Sequence, residues 1–65
     1  MKAKYFQDTD TLYLELRKAK VVETRDLDHD TLLDYDGDGQ IVGITIEHAK
    51  TRLDGPRIEL ETVTA

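Results

Sequence analysis

Asp34, Asp36 and Asp38 stand two residues apart, with Gly39 and Ile41 at the sixth and eighth places counted from Asp34. A calcium loop begins this way, with carboxylates at positions one, three and five, glycine at six and an apolar residue at eight. Calcium takes roughly six to eight oxygens, and three carboxylates plus the Gln40 carbonyl would start that shell. The twelfth place, where a bidentate glutamate closes such a loop, is Thr45. The flanks alternate like strands, and a chain that enters a strand at Ile41 and Val42 cannot wrap back around an ion. The segment therefore reads as an acidic hairpin turn, with no metal and no cofactor. Calcium binding through Asp34, Asp36 and Asp38 is the alternative.

Two histidines invite a second metal reading. His29 lies between Asp28 and Asp30, and in an extended chain Asp26, Asp28 and Asp30 would share one side. Imidazole with carboxylates is a donor set for divalent transition metals, but a lone histidine in an acidic turn reads first as a solvated residue. His48 follows Glu47 at the end of a strand-like run. Its charge changes near neutrality, so it is a candidate pH-sensitive contact, and otherwise an ordinary surface imidazole.

Catalytic groups are scarce. The chain has no serine, cysteine or asparagine, which removes the common nucleophilic triads. It has neither a Gly-x-Gly-x-x-Gly string nor a phosphate loop. The expectation is that this is not an enzyme, with a small carboxylate hydrolase as the weakest of three readings. Tyr5, Phe6, Tyr13 and Tyr35 could stack on bases, but an acidic chain repels phosphates. They are expected in a thin core or a subunit interface.

The elements that hold these residues are mostly strands. Apolar residues recur with period two, most clearly at Leu12, Leu14 and Leu16, and again at Val42, Ile44 and Ile46. Strands are expected over residues 2–6, 12–16, 21–27, 31–35 and 40–47, joined by polar turns. Gly43 inside the last of these marks a bulge or a close backbone approach. Ala49 and Leu53 are four apart and precede Gly55-Pro56, which fits a helix of one or two turns with its stop signals. Ile58 and Leu60 then alternate with Glu59 and Glu61, as an extra strand on another subunit's sheet edge or as a frayed tail. The expected fold is mainly β (α+β): an antiparallel meander of five to six short strands with one short helix in the C-terminal half.

A chain of 65 residues is read as one domain, residues 1–65. It buries only about 60% of its unfolded surface. Without cysteine, disulfides and thiolate zinc sites are unavailable to support so thin a core. Self-association into a homodimer or larger assembly is the expected remedy. The charge is −5, and residues 26–49 contain no lysine or arginine. That field disfavours nucleic acid and favours a basic protein partner. No apolar stretch approaches the ~20 residues of a membrane span, and no signal-peptide core follows Met1-Lys2. No membrane role and a cytoplasmic location are expected.

Tyr5, Asp10, Leu12-Tyr13-Leu14 and Leu16, together with the run Leu32-Leu33-Asp34-Tyr35-Asp36-Gly37-Asp38-Gly39-Gln40-Ile41-Val42-Gly43-Ile44, resemble a family of small prokaryotic proteins, domain of unknown function 2283. The resemblance covers about residues 1–53 and leaves residues 54–65 outside as an extra strand or tail. Phe6 and Asp30 depart from the pattern, standing where the family usually has aspartate and glycine. The resemblance supplies no catalytic residues. Members are often encoded beside a small ribonuclease-like toxin, so it implies a toxin-neutralising role for some of them. The leading expectation is thus a small acidic interaction module, with a basic toxin as one possible partner.

Overall fold

Leu12 and Leu14 alternate with Tyr13 and Glu15, so one strand can turn its leucines to one side and its polar groups to the other. The computed structural model describes residues 1–54 and 57–64, and repeats this division across a whole sheet. Strands β1 (Lys2–Phe6), β2 (Thr11–Glu15), β3 (Glu23–Asp28), β4 (Thr31–Tyr35) and β5 (Ile41–Glu47) precede one helix, α1 (Ala49–Arg52). All neighbours pair antiparallel, in the order β1-β2-β5-β4-β3. The expected fold class holds. β5 sits in the centre, and the β2–β3 connection carries the chain to the far edge.

Each hairpin turn has a local cause. Asp10 closes the first at φ 53°, a left-handed conformation that aspartate tolerates better than most residues. In the β3–β4 turn the Asp28 carboxylate accepts the Asp30 N–H at 2.9 Å, and no residue there needs positive φ. Asp30 therefore stands without strain where the resembled family has glycine. In the β4–β5 turn, Asp36 donates its N–H to the Gln40 carbonyl at 2.9 Å and accepts from the Gly39 N–H at 3.1 Å. Gly39, at φ 79°, supplies the left-handed residue that this closure requires.

Register places Leu12 beside Ile46 and Leu14 beside Ile44, and on the other flank of β5 it places Leu33 beside Ile44. A bulge between Asp34 and Tyr35 pairs Asp34 with Gly43 and Tyr35 with Ile41, leaving Val42 as the extra residue. Val42 is 1% exposed, Leu12 5% and Ala49 0%. Leu14, Leu33, Ile44 and Ile46 share that face and are only half-buried, and Leu16 lies exposed at its margin. The expected apolar partners are thus brought together, but as a single layer. α1 has four residues and covers one end only. The radius of gyration, 12.9 Å, exceeds the roughly 10.7 Å of a compact 65-residue domain, in keeping with a single-layer sheet and an exposed segment 57–64 lying off it.

Residues 57–64 form neither helix nor strand and are exposed. The optional sixth strand is therefore not part of this chain's own sheet. The Gly55-Pro56 stop signal lies outside the described residues.

Candidate functional site

Two clusters gather the polar side chains, one on each face of the sheet. On the face opposite the leucines, Tyr13 extends from β2 across Gly43 of β5 and donates its hydroxyl to Asp34 of β4 at 3.1 Å. The other Asp34 oxygen accepts from the Thr24 hydroxyl of β3 at 2.7 Å. One carboxylate thus joins β2, β4 and β3, and Gly43 of β5 is the gap through which the tyrosine reaches it. Partial burial, followed by the bond to Asp34 and its charge, raises the Tyr13 phenol above its ordinary range.

The second cluster locks the helix to the turns. Asp10 accepts the Tyr5 hydroxyl at 2.6 Å and the Lys50 N–H at 3.1 Å, while its carbonyl accepts the Ala49 N–H at 3.0 Å. The hydrogen bond to Asp10 is the main cause that raises the Tyr5 phenol above its ordinary range. His48 precedes the helix at φ 58° and does not cap it with its side chain. Asp10 provides that service from another turn. At the other end, Arg52 donates to the Asp30 carbonyl and the Thr31 hydroxyl, each at 2.7 Å, and lies 3.6 Å from the Asp28 carboxylate. The Asp28 carboxyl is lowered, first by the Asp30 N–H, and also by Thr31, Arg52 and His29. His48 and His29 both approach Asp30, at 3.1 and 3.3 Å.

A family profile described as protein of unknown function (DUF2283) matches residues 2–50. The chain belongs to the DUF2283 family. No curated protein matches it, and no solved structure does.

In this DUF2283 chain the residues that carry the resemblance have architectural places. Tyr5 and Asp10 dock α1, and Tyr13, Asp34 and Gly43 stitch the sheet. The three calcium-loop carboxylates have separate surroundings. Asp34 bonds Tyr13 and Thr24 on a sheet face, whereas Asp36 accepts the Asp38 and Gln40 N–H groups at 2.9 and 3.0 Å within the turn. The Gln40 N–H is the main cause that holds the Asp36 carboxyl low, with Asp38 and Arg17 assisting. The Asp38 backbone serves that bond while the residue itself is exposed. Among the described residues no group of three or more histidine or carboxylate side chains is placed to hold a metal ion. Calcium titration followed by calorimetry is expected to give a dissociation constant weaker than ~1 mM. Tight one-to-one binding, lost on replacing Asp36 and Asp38 by alanine, would contradict this.

Thr24 and Arg52 were not singled out by the sequence. Each acts on a residue distant along the chain, and no local pattern marks such a partner. No helix among the described residues is long and apolar enough to cross a membrane. With the polar clusters engaged in the fold, the surface with unmet demand is the leucine face. Leu14, Leu33, Ile44 and Ile46 lie there half-covered, and the exposed Val22 (64%) and Ile41 (39%) extend the chain's apolar surface.

Proposed function

We propose that this DUF2283 chain is a non-enzymatic interaction module that assembles with itself through the leucine face and offers acidic surface to a basic protein. The observation that supports it most is the single-layer sheet, whose central strand keeps Ile44 and Ile46 only half-buried. Sheets with one apolar face ordinarily bury it against a second layer. A second copy supplies that layer with the same surface, as two-fold assembly requires.

The acidic half of the reading rests on charge. Glu23, Asp26 and Asp28 lie along the exposed edge strand β3, with Asp30 and Asp38 in the turns beyond β3 and β4. Such a field speeds encounter with a cationic partner and disfavours nucleic acid. Neutralisation of a basic toxin encoded nearby is the most concrete form of this role.

Gel filtration with light scattering tests the assembly. At micromolar concentration a dimer or larger species is expected, with a melting temperature that rises with concentration because association draws on the folded state. A monomer whose melting temperature ignores concentration would refute the proposal. Binding to a neighbouring basic protein, if measured, should weaken steeply as salt is raised.

A further inference from the structure

The sheet has two free edges of opposite character. β1 presents Lys2 and Lys4 on the Tyr13 face, between Ala3 and Tyr5 on the leucine face. β3 presents Asp26 on the Tyr13 face, and Glu23 and Arg25 on the other. Lysines on an edge discourage pairing with a like strand. They do not discourage an acidic one. The segment after α1 is acidic and alternating: Glu59 and Glu61 fall on one side, Ile58 and Leu60 on the other. Ile58 is 52% exposed and Leu60 85%, and among the described residues 57–64 no backbone hydrogen bond reaches the sheet.

We propose that residues 57–61 of one copy add as an antiparallel strand to the β1 edge of a second copy. This rests on the self-association proposed above and names the segment that takes part in it. With Lys4 beside Glu59, Lys2 falls beside Glu61, so both charge pairs are of opposite sign on the Tyr13 face. The same register sets Ala3 beside Leu60 and Tyr5 beside Ile58, which lengthens the leucine face. Phe6, 47% exposed at the end of β1, then meets Arg57, a cation over an aromatic ring. Every position agrees. On β3, the antiparallel register that sets Glu59 beside Asp26 puts Glu61 beside Thr24 and Leu60 beside Arg25, so one glutamate is repelled and neither is attracted. The added strand gives the β1 backbone the hydrogen-bond partners an edge lacks. It leaves the chain's own β1 for a second copy because residues 57–64 lie off their own sheet.

Hydrogen exchange of the full chain, read with light scattering over a dilution series, tests this. In the assembled state the amides of residues 58–61 and of β1 are expected to be protected, and both sets should lose protection together on dilution to monomer. Replacing Glu59 and Glu61 by lysine should weaken assembly roughly tenfold, since two attractive cross-strand pairs become repulsive. Adding Lys2→Glu and Lys4→Glu to that variant should restore most of the loss. Assembly with an unprotected tail would overturn the strand while leaving the self-association intact. No assembly at any concentration would overturn both. Protection of residues 58–61 in the monomer would mean that the tail closes on its own β1, and would overturn the exchange.

Discussion

Gly43→Ala is expected to cost roughly 1–2 kcal/mol when Tyr13 is present, and to be neutral or stabilising by up to about 1 kcal/mol when Tyr13 is absent. A Cβ built on Gly43 would overlap the Tyr13 hydroxyl and lie 2.7 Å from Cζ and 3.0 Å from Cε1 of the same ring. The backbone of β5 cannot retreat, because it is hydrogen-bonded on both flanks. The ring must therefore leave, and its bond to the Asp34 carboxylate goes with it. A hydrogen bond to a carboxylate of this kind is worth roughly 1.5–3 kcal/mol, less here because the group is only partly buried. Gly43 has no positive φ, so alanine meets no backbone strain and on propensity alone would stabilise the strand by about 0.5–1 kcal/mol. These opposing effects make a double-mutant cycle decisive. Denaturant unfolding of the parent, Gly43→Ala, Tyr13→Ala and the double variant should show a large coupling, with the double variant no worse than Tyr13→Ala. An undiminished penalty for Gly43→Ala in the Tyr13→Ala background would show that the glycine answers to something other than the ring.

The same pair of residues shows where sequence reasoning stopped. Period-two alternation located β2 and β5, whose apolar residues share one face, because that pattern is local; β3 is exposed throughout, and its expected start at Val21 lies two residues before the strand begins. Gly43 stood out as an anomaly in an otherwise β-branched run, and a close approach was one of its two meanings. Its partner lies thirty residues away in sequence, and only register brings Tyr13 diagonally across to it. The Asp34 carboxylate suggested a calcium loop for a similar reason. Its spacing from Asp36 and Asp38 is visible along the chain, but the alternation that turns Asp34 onto a sheet face separates it from the turn.

The apolar face was legible in composition and only half-legible in consequence. Leu12, Leu14, Ile44 and Ile46 could be assigned to one side from their spacing, and register confirms it. Their unequal burial follows from a later element, because a four-residue helix reaches only the end of the sheet nearest the β1–β2 turn. Helix length was bounded by the apolar pair Ala49 and Leu53, whereas its docking depends on Asp10, which reads in isolation as an ordinary turn residue.

That uneven cover separates two leucines of identical chemistry. Leu12→Ala is expected to cost about 2–5 kcal/mol at any protein concentration, because Leu12 is already 5% exposed within one chain. A domain of this length holds only roughly 3–10 kcal/mol in total, so the variant should be largely unfolded at the lower end of that range. Leu14, two residues along the same strand and half-buried, loses fewer contacts when truncated in a lone chain. Its penalty should be about 1–2 kcal/mol in dilute protein and should climb toward that of Leu12 as a second copy covers the face. Thermal or urea melts of the two variants at several concentrations measure this difference directly. A Leu12→Ala protein as stable as its parent would mean that the buried face has been misassigned. Equal penalties for the two leucines at every dilution would mean that the leucine face needs no second copy to be covered.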